Sequence, residues 1–184
     1  MNPLKSDEYP AIYSDYIENV VGPVMEELHE QVETFPEFIQ RIPEDLGDYT
    51  YAEGKWTVKE VLCHILDTER VMAYRALRFA RNDMTELAPF EQDEFVQNGR
   101  HNERSLESIE EEFTYLRKAN LALFNTFSET ELERKGMASG RLITVKAFLY
   151  VIAGHVTHHR IILQERYLNN ETNPDAVGGV LITH

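Results

Sequence analysis

Three histidines in two segments carry the chemistry open to this chain. His155 and His159 stand four residues apart in Gly154-His155-Val156-Thr157-His158-His159-Arg160, and His64 lies in Val61-Leu62-Cys63-His64-Ile65-Leu66-Asp67. On a helix, positions i and i+4 share one face about 5–6 Å apart, so two imidazoles can converge on one ion with bonds of about 2.0–2.1 Å. A third imidazole from a facing helix would complete a site with an open coordination position, the pattern of a catalytic ion. The pair has a competing reading as a hydrogen-bond network in the core, where each unpartnered ring costs about 1–3 kcal/mol. A shared cation removes that cost, but spacing alone leaves the two readings level. A role for His64 further requires two helices to meet at the same height.

The elements that must position these rings are helices punctuated by proline and glycine. Gly22-Pro23 opens a first long helix with Val24, Leu28, Val32, Phe35, Phe38 and Ile39 on its apolar face; Pro36 marks a place for a kink and Pro43 an end. Thr57 and Glu60 form a capping box for a second helix that runs to about Arg81, with a seam of Val58, Leu62, Ile65, Met72, Ala76 and Phe79. His64 flanks that seam beside Val61 and Thr68. A long loop from Asn82 to Asn102, carrying Phe90 and Phe95, reads as a packed segment near the site. Ser105 caps a third helix with an inward face of Leu106, Ile109, Phe113, Leu116, Asn120, Leu123 and Phe127. Met137 to Leu142 reads as a turn or small hairpin. Thr144 caps a fourth helix that continues to about Leu168, on which Phe148, Ile152, His155, His159 and Ile162 step by four, three, four and three. Those are interior positions of a bundle, so the two histidines replace core hydrophobes. The fold class is all-α, a four-helix bundle in one domain spanning 1–184, with its core at about 23–168 and a tail at 169–184.

Other side chains near the site have blander readings. His158 lies about 100° around the helix from His159 and reads either as a support behind the ligands or as a residue at the rim. His29, His101 and His184 lack partners at ligand spacing and read as exposed. Cys63 reads as a small buried apolar residue. Glu69 interrupts the second helix's apolar stripe, which makes it a candidate partner for a ligand histidine or a base for a bound water. Asp67 and Arg70 read as a solvated, salt-bridged face. Arg75, Arg78 and Arg81 form a candidate anion site, but acids nearby balance the cluster. Tyr9, Tyr13, Tyr16, Tyr49, Tyr51 and Trp56 read as packing at the bundle ends or a dimer surface, with some walling a substrate pocket.

Composition narrows the partners. Lys and Arg number 18 against 32 Asp and Glu, a formal −14, which disfavours phosphate backbones and anionic headgroups. Cys63 is the one cysteine, so the chain has no intrachain disulfide and no multi-cysteine zinc site. The first residues lack the order of a signal peptide, and the longest apolar stretch, around Ala147 to Gly154, is far too short for a bilayer. The expectation is a soluble cytoplasmic protein that binds neither nucleic acid nor membrane.

The run from Gly54-Lys55-Trp56-Thr57-Val58-Lys59-Glu60 through His64 to Asp67-Thr68-Glu69-Arg70, then Tyr74-Arg75-Ala76-Leu77-Arg78-Phe79-Ala80-Arg81, and Ala153-Gly154-His155 to His159 resembles the DinB/YfiT-like superfamily. The resemblance extends from the first helix to about Tyr167. It implies a four-helix bundle of unusual connection order, often a homodimer. It also implies a divalent metal, commonly nickel or zinc with iron or manganese as further options, on residues that correspond here to His64, His155 and His159. Two chemistries follow from it: metal-dependent hydrolysis, and transfer or isomerisation that uses a low-molecular-weight thiol. Thiol S-transfer on a small-molecule substrate is the leading expectation. The rival is a non-catalytic metal-binding or stress-response protein in which the ion is structural; DNA binding, suggested only by the family name, runs against the charge.

Overall fold

The computed structural model describes residues 4–168; the expected tail at 169–184, with Val180-Leu181-Ile182 and His184, lies outside them. In chain order the elements are α1 (Ser14–Glu18), α2 (Val24–Gln40), α3 (Val58–Ala80), α4 (Gln92–Asn98), α5 (Leu106–Phe124), α6 (Glu129–Leu132), β1 (Lys135–Ala138), β2 (Arg141–Thr144) and α7 (Val145–Ile162). Four of them, α2, α3, α5 and α7, make the bundle: α3 packs on α7 and α5, and α2 packs on α5 and α7. No helix among the described residues is long and apolar enough to cross a membrane.

Local chemistry sets the helix starts. The Thr57 hydroxyl accepts from the Glu60 amide at 3.1 Å while the Glu60 carboxylate accepts from the Thr57 amide at 2.7 Å, so the capping box expected for α3 is formed. Ser105 and Thr144 cap α5 and α7 through the amides of Ser108 and Ala147. Helix α2 runs unbroken through Pro36, which is itself buried. Beyond α7 the chain continues as a π-helical segment, Leu163–Leu168, rather than as α-helix to Leu168.

Three features differ from the sequence reading or refine it. The stretch 82–102 is not structureless: it contains α4 and a 3₁₀ turn at His101–Glu103, and Leu87 pairs with β1 through bonds to Met137 and Ser139. The hairpin at 137–142 is present, β1 pairing antiparallel with β2 through Ser139 and Gly140, both at positive φ (53° and 70°), the backbone of a type I′ turn. The inward face of α5 is turned from the one expected: Arg117 and Leu121 are buried where Leu116 and Leu123 are half-buried. The cause is Glu69 on α3. Arg117 is fully buried and meets that carboxylate with Nε and Nη2, both at 2.8 Å. Asn120 adds a bond to Glu69 at 3.0 Å, and Arg117 Nη1 donates to Gln31 at 2.7 Å. Gln31 in turn donates to the Ala153 carbonyl at 2.9 Å. One polar chain therefore ties all four bundle helices together just below the histidine-bearing turn of α7.

Two apolar clusters flank this network. One gathers Leu28, Met72, Phe79, Phe148 and Ile152; the other gathers Phe35, Leu62, Ile65, Phe113 and Val156. Burial of these side chains, worth about 1.5–3 kcal/mol each, holds α3 and α7 in register.

Candidate metal centre

Helices α3 and α7 bring the three histidines to one point. His64 Nε2 lies 3.0 Å from His155 Nε2, and His159 Nε2 lies 3.1 Å from the same atom. All three ligand nitrogens fall within 4.8 Å of one another, although His64 and His155 are 91 residues apart in sequence. His64 and His155 are both 4% exposed and His159 is half-buried.

Close approach of a third element depends on one glycine. A Cβ at Gly154 would stand 1.7 Å from the Tyr16 carbonyl oxygen, so only glycine lets the backbone of α1 rest on α7. That contact sets the Tyr16 ring edge-on to His155 and His158, each at 5.1 Å between centroids. On the opposite side the Trp56 ring lies 4.9 Å from His64. Of the aromatic residues expected to pack bundle ends or wall a pocket, these two bracket the cluster, while Tyr49 and Tyr51 pack on Tyr167.

The electrostatics favour lone pairs over protons. Burial lowers His64 to about 4 and His159 to about 3, and burial holds His155 well below the usual imidazole range, with His159, His64 and His158 adding to the effect. All three rings are therefore neutral at pH 7. An imidazole nitrogen offers either one hydrogen or one in-plane lone pair, so His155 Nε2 serves one neighbour well and not two. A cation between them meets three lone pairs at once. Bonds of about 2.05 Å place adjacent ligand nitrogens about 2.9 Å apart in octahedral and about 3.3 Å in tetrahedral geometry, and the two short separations here lie between those values. The donor set fits a divalent ion.

The remaining candidates separate cleanly. Glu69 spends its oxygens on Arg117 and Asn120, and among the described residues no carboxylate hydrogen-bonds to the three rings; His64 Nδ1 instead has the Thr68 hydroxyl at 3.5 Å. His158 is at the rim, its ring 5.1 Å from His159 and outside the cluster. His29 is exposed, whereas His101 is half-buried with its Nε2 shielded, because its ring folds over Gly99. Cys63 is buried and its thiol is pushed up to about 11 by desolvation, so it is an inert core group. Asp67 pairs with Arg70 at 3.7 Å, Arg78 with Asp83, and Arg81 with Glu131 at 2.8 Å. Arg75 stands apart from these pairs and lines a cavity of about 400 Å³ together with His64, His155, Tyr13, Tyr16 and Phe90. The loop carrying Phe90 is thus a wall of the site, as the sequence led us to expect. Missed altogether was Arg117, a cation in a helix whose apolar residues offered another face.

Comparison with known proteins agrees with this fold. Over 164 residues the chain is 26% identical to a protein of Oceanobacillus iheyensis whose name proposes a metal-dependent hydrolase, covering 84% of this chain and 92% of that one. It superposes on YfiT from Bacillus subtilis, described as a probable metal-dependent hydrolase with an unusual four-helix bundle topology, at a TM-score of 0.68 with 17% identity and 90% of each chain covered. A mycothiol-dependent maleylpyruvate isomerase matches at a TM-score of 0.61 and 13% identity, over 79% of this chain and 61% of that one. The profile of the DinB superfamily matches residues 27–163, and the chain belongs to that superfamily.

Proposed function

We propose that this protein is a metal-dependent enzyme of small-molecule chemistry, in which His64, His155 and His159 hold one divalent ion, nickel or zinc, and a low-molecular-weight thiol serves as the nucleophile. The observation that carries the reading is the convergence of three neutral imidazole nitrogens, two on buried rings and one on a half-buried ring, beside a cavity of substrate size. An ion held by three neutral ligands keeps its full charge and an open position, and so lowers the pKa of a water or thiol that it ligates. Tyr16 and Trp56 exclude bulk solvent from the rings, and Gln31 and Arg117 hold α7 in place from below.

Thiol chemistry is placed ahead of hydrolysis because the buried carboxylate offered as a base is already engaged, and the carboxylates that line the cavity, Glu91 and Asp93, are exposed. Attack by water needs a group to take its second proton and to protonate the leaving group. Glu69 was the candidate in the sequence, and both its oxygens are engaged by Arg117 and Asn120. A thiol, with a free pKa of about 8.5, loses its single proton more easily. Hydrolysis is the second reading, favoured by the names of the Oceanobacillus and Bacillus proteins.

The test is a conjugation assay on protein loaded with nickel or zinc, with cysteine-type thiols and chloroaromatic or epoxide electrophiles. Metal-dependent thioether formation that is lost in His155→Ala supports the proposal. Absence of conjugation with every thiol, alongside metal-dependent ester or amide cleavage, replaces it with hydrolysis.

A further inference from the structure

Arg75 is a buried cation, 3% exposed, with no carboxylate within ion-pair reach among the described residues, in a protein of net charge −14. The arginines on either side show what the usual solution is: Arg70 and Arg78 on α3, and Arg81 just past its end, all pair with acids. Burying an uncompensated charge is costly, and such charges are normally paired. The Arg75 fork is only partly used. Nη2 donates to the Ala88 carbonyl at 2.8 Å and to the Ser139 hydroxyl at 3.1 Å, which pins the loop to the hairpin turn. Nη1 has the Met72 sulfur at 3.9 Å, a weak acceptor, and the guanidinium also hydrogen-bonds to the Tyr13 phenol, so every partner it has is neutral. The guanidinium carbon lies 5.7 Å from the Phe90 ring centroid, and the Tyr13 phenol stands beside the group.

The same cavity reaches the metal centre. His64, Thr68, Met72 and Arg75 succeed one another at steps of four, four and three on α3, and all four line it. Eleven residues rise about 16 Å along α3, so the guanidinium and the His64 ring stand about three turns apart on one cavity. Glu91, Asp93 and Arg141 also line the cavity, but all three are exposed, where solvent and salt screen them.

Resting on the reading of the histidines as an open metal centre, we propose that Arg75 is the specificity-determining residue of this site and that it selects small molecules with a terminal carboxylate, which docks on Nη1 while the reactive end faces the histidine cluster. One buried cation balances one negative charge, which favours a carboxylate over a dianionic phosphate.

The experiment measures binding by calorimetry, with 6-mercaptohexanoate and its neutral analogue 6-mercaptohexan-1-ol as probes, on protein carrying one zinc per chain and on metal-free protein. The acid is expected to bind the loaded wild type at least about tenfold more tightly than the alcohol, the equivalent of one charge-assisted hydrogen bond. In Arg75→Gln that preference falls to near unity while affinity for the alcohol is unchanged. Ser139→Asp provides a variant that keeps Arg75: the new carboxylate neutralises the fork, and the preference again disappears. Equal affinities for acid and alcohol in the wild type, or a preference that survives in either folded variant, overturn the proposal. The metal reading fails separately, by both thiols binding loaded and metal-free protein alike while the acid still outbinds the alcohol.

Discussion

Replacing Arg117 with methionine tests the polar network that fixes the site's scaffold. The substitution keeps most of the side-chain volume but removes the partner of Glu69, which is 2% exposed and bonded to Arg117 through two contacts of 2.8 Å. Asn120 alone then supports the carboxylate. Breaking one partner of a buried ion pair costs about 3–5 kcal/mol, because the other charge remains in an apolar shell. In a chain of this length each kcal/mol moves the melting temperature by about 2–4 °C, so a fall of about 10 °C is expected. The double variant Arg117→Met/Glu69→Leu removes both charges and should return to within about 1 kcal/mol of the wild type, since apolar replacements of buried pairs are often neutral. Urea denaturation of the wild type, both single variants and the double variant closes the cycle. A loss below about 1 kcal/mol in Arg117→Met, or a double variant as unstable as the two single losses added together, would refute the reasoning.

Three further outcomes follow from individual contacts. Gly154→Ala forces α1 away from α7 because the obstacle is backbone, the Tyr16 carbonyl 1.7 Å from the added carbon; a loss of about 1–3 kcal/mol and shifted Tyr16 and His155 resonances are expected, and an unchanged spectrum contradicts it. Thr57→Ala removes the cap of α3 and should cost about 1 kcal/mol of unfolding free energy in urea, whereas no loss would mean that the capping box contributes nothing. In metal-free protein the folded-state pKa values of His64 and His159, about 4 and 3, lie below the unfolded value near 6.5, so the unfolded chain takes up protons first and stability falls as pH drops from about 6.5 to 5, by up to about 1.4 kcal/mol per pH unit for each histidine. Urea midpoints at pH 7, 6 and 5 check this, and a flat profile over that range contradicts it.

What could be read from the sequence was local. Helix starts at Thr57, Ser105 and Thr144 were legible because a cap is decided within three or four residues, and the pairing of His155 with His159 was legible because helical period fixes it. The place of His64 came from the resemblance, since a contact across 91 residues has no local signal. Arg117 escaped notice because Leu116 and Leu123 offered a plausible apolar stripe, and only the presence of Glu69 on another helix turns the arginine inward. Arg75, Arg78 and Arg81, at the end of α3 and just past it, look equivalent in the chain. Asp83, five residues on, pairs with Arg78, tertiary structure brings Glu131 to Arg81, and Arg75 is left facing the cavity. The short α4 and α6 were missed for a related reason: helices of seven and four residues owe their stability to what they pack against more than to their own sequence.

The central claim is that three imidazoles from α3 and α7 hold one divalent ion on a scaffold that folds without it. Metal content, measured on protein purified without chelators or nickel affinity resin, together with far-ultraviolet circular dichroism, tests it most directly. The wild type should carry about one nickel or zinc per chain and His155→Ala almost none, with helical signal retained by both the variant and the chelated wild type, since the two apolar clusters hold the bundle. Unchanged metal content in His155→Ala, or collapse of the helical signal on chelation, would contradict it.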